Sequence, residues 1–291
     1  MGTVIEQVAV GRSRWRHRHS ALHLAVSTAQ DCLRMAGREP HDVDLLINAG
    51  IYRDRNLGEP ALAALIQEDV GANPEDPHTG THGTFSFDVA NGTCGVLTAL
   101  QIVDGFLTSR TIDCAMVVAS DADPGHGMSE HFPFSPTGAA LLCSRTGDDD
   151  GIEQVHWTSI PDCGETFSAT VGLVDHKNVL RFRHSTSRDE RFAAAAADAA
   201  ARCLRASDRT IADIDAIVAA PARPGYRTAL ATMLGVPAQR VIVAEDDAMH
   251  TASLAAALDR ATHELDGGSL AILIAAGAGI TAGAALYRIP R

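Results

Sequence analysis

The chain has 291 residues, 46% of them hydrophobic and 4% aromatic, with 24 Lys+Arg against 36 Asp+Glu for a net charge of −12. That length and apolar content support a buried core in one large or two small domains. The acidic balance and the scarcity of aromatic rings argue against an extended nucleic-acid surface.

In chain order, residues 4–10 form a short apolar segment followed by Arg12, Arg14, Arg16 and Arg18, which puts positive charge on the wrong side for a secretory signal. The spacing of Leu22, Ala25, Val26, Ala29, Cys32 and Leu33 predicts a helix, and Leu45-Leu-Ile47 a buried strand. Residues 74–84 read as an exposed polar loop carrying His78 and His82. A strand, a sharp turn at Thr93-Cys94 and a helix through Leu107 follow, then a strand over 115–119. Asp148-Asp-Asp150 is an acidic turn with too few oxygen ligands for a metal. Arg181, Arg183, Arg188 and Arg191 gather before a helix from Phe192 to Leu204, whose start Asp189-Glu190 favour. Residues 217–219 read as a strand and 251–265 as a helix. Residues 270–286 are apolar but hold three glycines, so they read as two short strands and not as a membrane span. The six cysteines (32, 94, 114, 143, 163 and 203) form no Cys-x-x-Cys pair, which argues against a zinc framework or a dense disulfide scaffold, and no metal site is expected. The expectation is a soluble, cytoplasmic chain with reduced cysteines.

The chain repeats itself. Cys32-Leu-Arg-Met-Ala-Gly-Arg-Glu-Pro-His-Asp-Val-Asp-Leu-Leu-Ile47 aligns without a gap to Cys203-Leu-Arg-Ala-Ser-Asp-Arg-Thr-Ile-Ala-Asp-Ile-Asp-Ala-Ile-Val218. Each copy is a helix, a polar turn and a buried strand, and the helices opening at Thr93 and Thr251 continue the match. Helices alternating with apolar strands imply parallel strands covered on both faces. The expected division is residues 1–150, carrying Cys94, and residues 151–291, carrying His250 and Gly277-Ala-Gly279. If the halves face each other, the helix starts at Cys94 and near His250 meet close to a pseudo-two-fold axis. A thiol at a helix N-terminus is shifted toward thiolate and can act as a nucleophile. Strand–Cys–helix arrangements also hold inert core cysteines, and both readings stand at this level.

The segment Phe85-Ser-Phe-Asp-Val-Ala-Asn-Gly-Thr-Cys94-Gly-Val-Leu-Thr-Ala-Leu100 resembles the active-site region of the ketoacyl-ACP synthase III branch of the thiolase superfamily. Ala275-Ala-Gly-Ala-Gly-Ile-Thr-Ala-Gly-Ala-Ala-Leu-Tyr-Arg288 resembles that family's glycine-rich loop and closing strand, and Ser135-Pro-Thr-Gly-Ala-Ala-Leu-Leu142 an eroded central glycine loop. The resemblance implies a duplicated five-layer α/β/α/β/α fold of the thiolase type, usually dimeric. It implies acyl transfer from CoA or acyl carrier protein (ACP) onto Cys94, then to a second acceptor. The oxyanion hole would be the N–H of Cys94 and that of Ala278, which stands where the family has glycine. No bound cofactor is expected, since the CoA or ACP thioester is the substrate.

Two of the family's catalytic positions differ. The histidine position holds Ala220, within Ile217-Val-Ala-Ala-Pro-Ala-Arg-Pro-Gly-Tyr226, and the asparagine position holds His250. His250 is therefore expected as base or donor in a Cys94–His250 dyad, with His126 and His131 as stand-ins for the missing ring. Arg223 and Arg227 flank the altered region as weak candidates for carrier contact, and the residues 12–18 cluster for steering acidic ACP or CoA phosphates. The loss of the histidine favours simple transfer to O, N or S over malonyl condensation, in specialised more than housekeeping metabolism. The alternatives are an impaired subunit paired with an intact paralogue, and a thioester hydrolase.

Overall fold

The computed structural model describes residues 2–12, 19–73, 83–147, 150–162 and 164–290. Arg14, Arg16, Arg18, His78, His82, Asp148 and Cys163 lie outside the described residues. The first half runs β1 (Thr3–Arg12), α1 (Ala21–Ala36), β2 (Leu45–Asn48), α2 (Leu62–Val70), β3 (Phe85–Asp88), α3 (Gly95–Thr108), β4 (Cys114–Asp121) and β5 (Thr137–Arg145). After β6 (Gly151–Ile152), the second half runs β7 (His156–Ser159), β8 (Phe167–Val174), β9 (Lys177–His184), α4 (Arg188–Ala206), β10 (Ala216–Ala220), α5 (Pro224–Leu234), β11 (Val241–Ile242), α6 (Ser253–Glu264), β12 (Leu270–Gly277) and β13 (Thr281–Arg288).

The strand orders are the same in both halves: β3-β2-β4-β5-β1 and β11-β10-β12-β13-β7. β6 pairs with Thr3 on one side and with Tyr287 and Arg288 on the other, so the two sets form one hydrogen-bonded path. Three apolar layers separate the elements. One packs α1 and α2 on the first set, one packs α4 and α5 on the second, and the largest lies between the sets around α3 and α6. This is the five-layer α/β/α/β/α arrangement. The hairpin β8–β9 is an insertion between β7 and α4, paired within itself along its length and tied to the segment after β4 by one bridge between Leu180 and Ser129.

The repeated Asp-x-Asp has a structural cause. Asp42 and Asp213 each accept a hydrogen bond from the backbone three residues earlier, closing a short 3₁₀ turn (Glu39 N at 3.0 Å, Thr210 N at 2.7 Å). Asp44 accepts from Cys114 N at 3.0 Å and Asp215 from Leu270 N at 2.8 Å. Each second aspartate thus anchors the first residue of the neighbouring strand, β4 or β12. α1 is closed by Ser20, which accepts from His23 N, and by Gly37 at φ 66°.

The path from β2 toward the site makes a close approach. Gly50 sits against Ser120 of β4, where a Cβ would strike the Ser120 carbonyl and lie 2.8 Å from its nitrogen. Gly58 has open space around it. Overpacking of this kind costs about 1–3 kcal/mol. Gly50→Ala should lower the melting temperature by several degrees while Gly58→Ala leaves it within about a degree, as read by scanning calorimetry.

Candidate active site

Two segments from different halves meet at one cavity of ≈ 410 Å³. The turn after β3 contributes Ala90, Asn91, Gly92 and Thr93, and the turn before α6 contributes Ala248, Met249 and His250. Ile51, Phe134, Phe167, Phe192 and Pro221 make much of the wall apolar, and Ala278 closes it from the β12–β13 turn. Arg188 and Arg223 also reach it.

His250 is held by Asp121, the last residue of β4. Asp121 Oδ2 lies 3.2 Å from His250 Nδ1 and accepts from Thr251 N (2.8 Å) and Thr251 Oγ1 (2.6 Å). Its other oxygen accepts from Tyr52 N (3.0 Å) and Ile51 N (3.3 Å). Asp121 is fully buried. Burial raises its pKa, but the His250 charge and the hydrogen bonds from His250, Thr251 and Tyr52 outweigh it and hold the carboxyl below the usual carboxylate range. The imidazole stacks on Phe134 with centroids 4.2 Å apart and leans on Tyr52 at 5.2 Å. With Nδ1–H donating to the carboxylate, Nε2 carries the lone pair. A Cβ at Gly92 would lie 3.8 Å from Nε2, so glycine leaves room there for a reacting group.

Cys94, expected as the nucleophile, is not brought to the cavity. Its side chain is fully buried, Sγ donates to the Thr281 carbonyl at 3.4 Å, and burial pushes the thiol up to about 12. At neutral pH it is a thiol with a partner. The partner that the structure gives His250 is Asp121. The Cys94 N–H, expected as one oxyanion donor, bonds the Asn91 carbonyl at 2.9 Å within a 3₁₀ turn. The residue that reaches the wall is its neighbour Thr93, whose hydroxyl donates to the Ala276 carbonyl. One residue along such a turn rotates the side chain by roughly 100–120°.

Ala278, expected as an oxyanion donor, lies in the wall, and the left-handed angles fall on Gly279 (φ 71°) and Ile280 (φ 45°) instead of on it. Ala220 is buried in β10, and the wall at that point is Pro221. Arg223 reaches the cavity, whereas Arg227 Nε donates to the Ala238 carbonyl. His126 and His131 are exposed and stand away from the wall, so neither replaces the missing ring. Sequence reasoning missed Asp121, Tyr52, Phe134 and Thr93. The signal for Asp121 was an acid ending an apolar strand, a place that demands several donors. Phe132-Pro-Phe134 was a local concentration of rings in a chain poor in them.

Comparison with known proteins fits this architecture. Residues 204–289 match the family model for the 3-oxoacyl-[acyl-carrier-protein (ACP)] synthase III C terminal. The chain is 29% identical to β-ketoacyl-[acyl-carrier-protein] synthase III of Acidiphilium cryptum, covering 97% of this chain and 89% of the relative. It is 26% identical to the enzyme of that name in Ehrlichia canis, covering 91% and 83%. Its fold matches 3-oxoacyl-[acyl-carrier-protein] synthase III of Aquifex aeolicus with a TM-score of 0.81, at 19% identity over 99% of this chain and 100% of that one. The priming β-ketosynthase of the R1128 polyketide biosynthetic pathway matches with a TM-score of 0.80, at 20% identity over 99% and 96%. The chain is thus similar to ketoacyl-ACP synthases III over more than nine-tenths of its length, and residues 204–289 match their C-terminal model. No described helix is long and apolar enough to cross a membrane.

Because the folded pKa of Asp121 lies below its unfolded value, its contribution is present above about pH 4–5 and is lost as pH falls through the folded pKa. Asp121→Asn should lower unfolding free energy at pH 7 by about 1.5–3 kcal/mol. It should also flatten the loss of stability that the parent shows between about pH 5 and 3, as read by urea denaturation across that range.

Proposed function

We propose that the chain is an acyltransferase in which His250 activates the acceptor for direct attack on an acyl thioester of CoA or ACP. The observation that carries this reading is the His250 ring in the cavity wall with Nδ1 on buried, ionised Asp121. Nε2 takes the proton of an acceptor O–H, N–H or S–H as the heteroatom bonds to the thioester carbonyl. The carbonyl electrons pass to oxygen, beside the Ala278 turn, and Asp121 stabilises the imidazolium that forms. Collapse of the tetrahedral intermediate breaks the C–S bond. The departing thiolate takes the proton back from Nε2.

The relatives' names supply the thioester chemistry, and the residues of this cavity supply the departure from it. A thiol with a pKa near 12, bonded to a carbonyl, supports no acyl-enzyme on Cys94. Ala220 has no second donor to hold a malonyl enolate, so this reading favours transfer to a heteroatom over condensation.

Steady-state kinetics with a short acyl-CoA and a panel of alcohol, amine and thiol acceptors tests the reading. His250→Ala should lower kcat/KM by about 10²–10⁴-fold. Cys94→Ala should keep it within a few-fold of the parent. Loss of activity in Cys94→Ala, with His250→Ala unaffected, would overturn the proposal. Free acid released at the same rate without an acceptor would replace it with thioester hydrolysis.

A further inference from the structure

The helix α4 begins with Arg188, which is 91% buried by its 9% exposure and lines the cavity. Its Nε is shielded from solvent and has no hydrogen-bond partner among the described residues. An arginine in that state is unusual, because a buried charged donor left unpaired is strongly unfavourable. The neighbouring carboxylate does not resolve it. Asp189 Oδ1 accepts from Arg223 Nε at 2.7 Å and stands 3.9 Å from Arg188 Nε, beyond hydrogen-bond distance. Two guanidinium groups therefore share one carboxylate at this end of the cavity. Exposed His184 also reaches the wall, and exposed Asp247 sits on the segment that carries His250.

The surroundings fix the group's position. The Arg188 guanidinium carbon lies 5.8 Å from the Phe167 ring centroid. Phe167 and Phe134 centroids are 6.4 Å apart, and Phe134 stacks on His250. The cationic end and the base thus share one cavity, separated by two rings. An apolar stretch between a base and a buried cation matches a reactant with its reacting atom at one end and an anion at the other.

Resting on the acyltransferase reading, we propose that Arg188, with Arg223 beside it, is a specificity site for a carboxylate carried by one of the two reactants. The reactant is either an ω-carboxyacyl thioester or a hydroxy-acid acceptor. Arginine suits the role because its donors are fixed in a plane that matches a carboxylate. Neither thioester carrier is needed for this contact.

Isothermal titration calorimetry on the intact protein separates the two sources with matched pairs: glutaryl-CoA against pentanoyl-CoA, and lactate against propane-1,2-diol. In at least one pair the carboxylate should bind ten-fold or more tightly, as a charge-assisted hydrogen bond gives. Arg188→Met should abolish that preference and Arg188→Lys should restore part of it. Arg223→Gln should reduce the preference and serves if Arg188→Met fails to fold by circular dichroism. Equal binding within both pairs would overturn the proposal. So would a uniform loss for both CoA probes in Arg188→Met, which marks a phosphate contact. Calorimetry needs no turnover, so a preference without catalysis upholds this site and removes the acyltransferase reading. Catalysis without a preference does the reverse.

Discussion

One buried carboxylate ties the two halves together. Asp121 ends β4 in the first half and accepts hydrogen bonds from the loop after β2 and from the residues leading into α6 in the second. An ionised carboxylate withdrawn from water is tolerable only with such a set of donors. The set fixes the backbone at Thr251 and the tautomer and tilt of His250 together. Remove the carboxylate and the imidazole loses its orientation, Thr251 loses its acceptor, and the turn that frames the cavity loosens.

That arrangement changes what the cleft can do. Proteins that share this architecture are named for ketoacyl synthesis, but the cleft here is lined by an imidazole and two arginines. The sulfur lies behind the wall, bonded to the backbone of β13. A carboxylate-supported imidazole suits proton removal from an acceptor, while burial pushes the thiol up to about 12 and disfavours the thiolate at neutral pH. On the proposed reading, the reacting group sits at the helix start of the second half and not at that of the first.

The architecture was legible in the sequence because its repeat is written in residues with local tasks. The Asp-x-Asp pairs close a turn and anchor a strand in both halves, so they persist as a readable pattern. Residues 270–286 resolved into β12 and β13 as their glycines implied. The hairpin β8–β9 was not legible, because its residues are largely half-buried or exposed and lack a strong apolar alternation. The site was half legible. His250 and Ala278 line the cavity, but choosing Cys94 over Thr93 depends on the phase of a 3₁₀ turn, which spacing along a chain of small residues does not encode. The partnership of Asp121 with His250 joins positions 129 residues apart, and no local pattern carries it.

Intact-protein mass spectrometry after incubation with excess acyl-CoA and no acceptor probes the account most directly. The unmodified mass should persist, since the proposed reaction has no covalent acyl-enzyme intermediate. An acyl increment that maps to Cys94 would contradict it.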